Sequence, residues 1–258
     1  MNDLISLDTT DLVLCLGLIG IAIALSLWRK LGLEKQLAYG AARSLMQLIA
    51  IGYILDLVFA VDNWLVVLGI LGIMLAIASI VTRNRIDQKL SGLLATVILS
   101  LVASSTFTLG YVILLIVQPE QWYEPQYLIP LAGMLFGNAM NGASLAGDRL
   151  LNAIKQNRLE IETHLCLGAT GKQAIARYQK EAIRTGLIPT LNNMVVMGLV
   201  SLPGMFTGQV LAGSNPRDAA SYQILILFAI VLVNLMTAIL ITEGIYKKFF
   251  NQDEQLIG

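Results

Sequence analysis

Residues able to do covalent or metal chemistry are few in this 258-residue chain: one histidine, His164, and two cysteines, Cys15 and Cys166. A serine–histidine nucleophile working inside a membrane needs its histidine there too, and His164 lies in a polar, basic segment. A zinc enzyme needs a clustered set of ligands, which the sequence does not contain. There is no G-x-x-x-x-G-K-[ST] run either; Gly168 to Gln173 lacks its spacing and its hydroxyl, so any ATP must be bound by another chain. No catalytic residue, cofactor or metal site is therefore expected on this chain. Met134, Met140, Met194, Met197 and Met205 are soft thioethers, better suited to Cu(I) than to iron, and are also ordinary packing residues.

What remains are amides, hydroxyls and isolated charges set among apolar residues. Asn138, Asn141, Ser144 and Asp148 recur at steps of three or four and would form one polar helix face. Such a face can bond neighbouring helices or line a pathway, and both readings stay open. Tyr39, Arg43 and Gln47 make a second stripe, with Arg43 roughly 10 Å deep at 1.5 Å per residue. Arg43 either snorkels to the interface or pairs with Asp148. Gly133 to Gly137 and Gly204 to Gly208 are two G-x-x-x-G pairs, each followed by an amide, Asn138 or Gln209. That spacing predicts close helix packing within the chain or across a dimer, with the two amides flanking an outer gate.

The elements that position these residues follow from hydropathy and charge. Mean hydropathy is +0.72, with 56% hydrophobic and 13% charged residues; soluble domains carry about a quarter charged. Seven apolar stretches are long enough to cross a bilayer: Leu12–Trp28, Leu37–Phe59, Trp64–Val81, Leu93–Val117, Tyr127–Gly147, Gly186–Gly208 and Tyr222–Tyr246. The first has no basic segment before it, so a retained helix is expected rather than a cleaved signal. All of the 17 Lys and Arg residues except Arg43 and Arg217 fall in every second break or after the last stretch. Asp3, Asp8, Asp11, Asp56, Asp62, Glu120, Glu124 and Asp218 lie on the opposite side. The positive-inside rule then predicts an all-α polytopic membrane protein of seven transmembrane helices, N-terminus outside and C-terminus cytoplasmic. Residues 1–258 are expected to form one permease domain with no nucleic-acid partner, the net charge being zero.

One connection is long, about Asp148 to Thr185, and it is cytoplasmic by the same rule. Asn157–Leu167 reads as a short helix, followed by the turn Gly168-Ala169-Thr170-Gly171. Thr170 and Gln173 have capping-box spacing, so a second helix starts there, with Ile175, Tyr178 and Ala182 as its apolar stripe. Pro189 is expected to bend this helix into the sixth span. A surface loop lying along anionic headgroups is the plainer reading. The helix–turn–helix shape, with Glu162, Leu165 and Gly168 in it, also resembles the cytoplasmic docking loop of ABC-transporter permeases.

The resemblance extends along the whole chain to the FetB/YbbM-type permeases. It is carried by Arg43-Ser44-Leu45-Met46-Gln47-Leu48, by Pro130 to Asn141, by Leu202-Pro203-Gly204-Met205-Phe206-Thr207-Gly208-Gln209-Val210-Leu211-Ala212-Gly213, and by Tyr222-Gln223-Ile224. It implies the permease subunit of an ATP-driven ABC-type exporter in the inner membrane. A homodimer would work with a separate cytoplasmic ATPase, in iron export and metal homeostasis. Plant relatives linked to aluminium tolerance imply a UDP-sugar as alternative cargo. An ion-coupled secondary transporter is the other alternative; such proteins tend to carry mid-membrane acidic relays, and no Asp or Glu lies deep in a stretch here.

Overall fold

The computed structural model describes residues 9–60, 63–251 and 254–257; Asp3, Asp8 and Asp62 of the acidic set lie outside them. The described residues form helices joined by turns, with only two isolated bridges, Met197–Ser201 and Phe250–Leu256, and no strand. They divide into two units.

The first unit is a helical hairpin of α1 (Thr9–Trp28) and α2 (Glu34–Ala60). Lys30 and Gly32 take positive φ in its turn. Ser26 ties the turn together: its hydroxyl donates to Glu34 Oε1 at 3.0 Å and accepts from the Leu33 N–H at 3.3 Å. The Arg29 guanidinium lies 4.9 Å above the Trp28 ring, an aromatic–basic pair of the kind that anchors a helix at a membrane surface.

The second unit holds α3 (Trp64–Ile86), α4 (Leu93–Tyr111, extended by a π-helical turn Val112–Val117), α5 (Pro125–Gln156), α6 (Arg158–Cys166), α7 (Gly171–Val196), α8 (Gly204–Leu211) and α9 (Pro216–Phe249). Its centre is α5, which packs against α3, α4, α7 and α9. Small residues let it. A Cβ on Gly186 of α7 would stand 2.7 Å from the Gly142 carbonyl oxygen of α5, so the two backbones touch. On Gly147 it would meet Ile86, and on Gly244 of α9 it would overlap the Thr96 methyl at 2.1 Å. Buried polar bonds join the same helices: Ser104 to Thr237 at 2.6 Å, and Asn234 Nδ2 donating to Thr190 Oγ1 at 2.6 Å. With no water to compete, such contacts and close packing hold helices together in lipid.

Among the described residues, four helical segments are long and apolar enough to cross a membrane: Glu34–Phe59, Trp64–Ile86, Leu93–Val117 and Pro216–Phe249. The apolar part of α1, Leu14–Trp28, is shorter. The fifth stretch belongs to a helix that does not stop at Gly147 but runs on to Gln156. The sixth, expected as Gly186–Gly208, is not one helix. The amphipathic α7 stays helical past Pro189 to Val196, then the chain turns over 197–203 and restarts as α8. Gly198 adopts φ +82° in that turn, and its N–H donates to the Ser201 carbonyl. Pro203 supplies no N–H and disfavours helix at Leu202, so the restart comes after it.

Candidate functional site

The segment expected to be a long cytoplasmic loop is helical almost throughout. Asp148 to Gln156 is the end of α5, and Gly171 to Thr185 the start of α7; only Asn157 and Leu167–Thr170 lie outside the helices. Helix α6 ends where expected because Gly168 can take φ +90°, letting Ala169 N–H bond back to the His164 carbonyl. The capping box is present: Gln173 N–H donates to Thr170 Oγ1, and Thr170 N–H to Gln173 Oε1. Ile161, Ile175, Tyr178 and Ala182 are buried where the two helices face each other. Burial, and then the Glu160 carboxylate of α6, push the Tyr178 hydroxyl of α7 up.

A collar of bonds fastens this element to the bundle. Lys155 of α5 pairs with Asp87 after α3 at 3.0 Å, Arg149 of α5 with Glu181 of α7, and Lys172 of α7 with Glu243 of α9 at 3.3 Å. The Lys89 backbone N–H and then the Lys155 ammonium hold the Asp87 carboxyl below the usual aspartate range. Each exposed pair adds only about 0–1 kcal/mol, so the collar sets register more than stability.

A second layer was not legible beforehand: the segment after α9 folds back onto the turn. Phe250 and Leu256 bridge, Ile257 N–H reaches the Phe249 carbonyl at 2.8 Å, and Glu254 Oε2 accepts from the Gly171 N–H at 2.5 Å. An anion at the first turn of α7 is favoured there by the exposed N–H groups and the helix dipole. A Cβ on Gly171 would collide with Phe250, so this glycine is needed for contact with the tail. Together Glu162, Leu165, Cys166 and Ala169 of the helix–turn face Glu254, Gln255 and Leu256 across a groove of about 450 Å³. Beside it Leu159 and Leu167 each leave 80% of their surface exposed. Leu159 inside the nine-residue α6 and Leu167 just after it are apolar surface left uncovered among the described residues.

A profile described as "Uncharacterised protein family (UPF0014)" matches residues 9–250. The chain belongs to the UPF0014 family. A UPF0014 membrane protein of Synechocystis sp. is 55% identical over 98% of both chains. The "Probable iron export permease protein FetB" of Escherichia coli is 35% identical over 98% of this chain and 96% of its own length. The protein named "ALUMINUM SENSITIVE 3" of Arabidopsis thaliana is 33% identical over 92% and 85%. No solved structure matches. With its apolar helices, this UPF0014 chain is a multi-pass membrane protein.

The other expected residues of this UPF0014 chain do not gather in one place. Arg43 and Gln47 are exposed on α2 in the first unit. In the second, the Asp148 carboxylate accepts from Asn152 Nδ2 at 2.9 Å, and Asn138 Nδ2 donates to its own helix at the Met134 carbonyl. Asn141 Oδ1 accepts from Arg85 Nη1 at 2.7 Å, joining α5 to α3. The Gln209 amide oxygen on α8 is buried without a hydrogen-bond partner among the described residues. A Cβ on Gly137, Gly204 or Gly208 would meet nothing within 4 Å, and on Gly133 only the Met74 methyl at 3.1 Å. The intrachain close approaches belong instead to Gly142, Gly147, Gly186 and Gly244.

Proposed function

We propose that this chain is the membrane subunit of an ATP-driven exporter, acting as one permease domain over its length, and that α6 with the following turn receives the stroke of a separate cytoplasmic ATPase. The single observation behind this is the short helix α6, with Leu159 and Leu167 bare towards its ends and the capped helix α7 that follows it tied through the collar to α5 and α9. A rigid element with an unburied apolar surface, fixed to the long helices, is what force transmission requires. The name of the E. coli relative supports iron export as the transport role. On this reading the protein sits in the inner membrane as a homodimer with two ATPase subunits, since a two-fold pore needs two copies. The chain catalyses nothing and binds no cofactor itself. Arg43, Gln47, Asn138, Asn141, Asp148 and Gln209 are the pathway candidates, and Gly137, Gly204 and Gly208 have room for a second copy.

The test is copurification of the ATPase together with vanadate-sensitive transport. Replacing both Leu159 and Leu167 by Asp should abolish ATPase capture while the chain still folds into the membrane. Retained capture by that variant would refute the docking role.

A further inference from the structure

The end of the second unit opposite Lys247 and Lys248 is built differently. Where α7 stops at Val196, the chain leaves helical geometry for residues 197–203 before α8 begins. At membrane depth such backbone is tolerated where it lines a cavity, and Met197, Gly198, Leu202 and Pro203 of this break do line one, while Leu199 and Val200 are exposed. Interrupted helices are also where transporter ligand sites form. A cavity of about 340 Å³ lies here, within the size range of small-molecule sites, roughly 300–1,000 Å³. Its walls are Met194, Met197, Leu202, Phe206 and Ile224, and its one amide is Gln223 on α9.

Gln223 is only 9% exposed, and its amide oxygen has no hydrogen-bond partner among the described residues. Its nitrogen has merely a 3.9 Å contact with the Met197 sulfur. A buried acceptor left unpaired is costly, so its place on a cavity wall calls for a donor from outside the chain. No Asp, Glu, His or Cys lines the cavity. A bare cation would lose its hydration there with no opposite charge in return.

We infer that this cavity binds a neutral, mostly apolar molecule that donates one hydrogen bond to Gln223 Oε1. The site is independent of ATPase docking and requires only this unit. A lipid acyl chain would fit the walls but would leave the amide unpaired.

N-phenyl-1-naphthylamine has an apolar body and a single N–H; 1-benzylnaphthalene carries a methylene in its place. The purified full-length chain in detergent should bind the amine saturably, read by its fluorescence. The hydrocarbon should compete about tenfold more weakly, the usual worth of one such bond. Gln223→Leu should make the two equal while melting at or above the wild-type temperature, because it removes an unpaired acceptor. Ala220→Phe, which fills the cavity, should abolish saturable binding, and ferrous ion should displace nothing. The inference is overturned by any of four results: no saturable binding to the wild type, a preference for the amine that survives Gln223→Leu, a lowered melting point in that variant, or displacement by ferrous ion. Should Ala220→Phe fail to fold, the two probes on Gln223→Leu decide alone.

Discussion

The two ends of the second unit contrast in how they treat polar groups. At the Lys/Arg-rich end, bonds from Arg85, Lys155, Arg149 and Lys172 run between α3, α5, α7 and α9, and the α7 start is capped by both Thr170 and Glu254. At the other end, the amide oxygens of the half-buried Gln209 and the buried Gln223 find no hydrogen-bond partner among the described residues, and the backbone breaks between α7 and α8. A finished set of bonds suits an element that must move as one piece. An unfinished set suits a surface that exchanges partners.

The contrast breaks most severely at the packing that joins the ends. Gly244→Val must displace Thr96, and its cost should reach or exceed the roughly 1–3 kcal/mol of an overpacked core. Thermal melting in detergent should show this, with Gly208→Ala, which faces open space, within about 0.5 kcal/mol of wild type. Thr170→Ala should cost about 1 kcal/mol by removing half the capping box, and should lower ATPase coupling if α6 and α7 move together. At the unfinished end the sign reverses. Gln209→Leu should be neutral or raise the melting temperature, by less than about 1 kcal/mol; a marked drop would mean the amide is already satisfied.

The smallest effect belongs to the collar. Asp87 has a depressed folded pKa, so its contribution is present above the unfolded value, near 3.8, and fades as pH falls through the folded one. Asp87→Asn should therefore melt lower at pH 7, by less than about 1 kcal/mol, and match wild type in strong acid. A difference that grew on acidification would contradict the pairing with Lys89 and Lys155.

What could be read from the sequence was local. The bounds of α6, the Gly168 turn and the Thr170–Gln173 box follow from rules acting over four residues, and the structure reproduces them. Hydropathy located the apolar stretches but could not tell that α7 continues past Pro189 and that the break falls at 197–203. A proline near an apolar run signals a possible kink, whereas the actual stop needed Gly198 and Pro203 together. Close helix approach escaped sequence reasoning altogether. The G-x-x-x-G spacing pointed to Gly133, Gly137, Gly204 and Gly208, yet the backbones of Gly142 and Gly186, on two different helices and far beyond the reach of any short pattern, touch each other. The tail was hidden for the same reason. Glu254 becomes a helix cap only through where Gly171 happens to lie.

That glycine contact between α5 and α7 has a mechanical consequence. It works as a fulcrum, with about 22 Å of α7 on the Gly171 side and about 15 Å on the Val196 side, at 1.5 Å per residue. If α7 pivots there as a stiff rod, a push on the α6 side swings Met194 and Met197 the opposite way by about two-thirds as far. Such a seesaw needs no chain of intermediaries to carry work from the α6 side of α7 to the cavity beside Met194 and Met197.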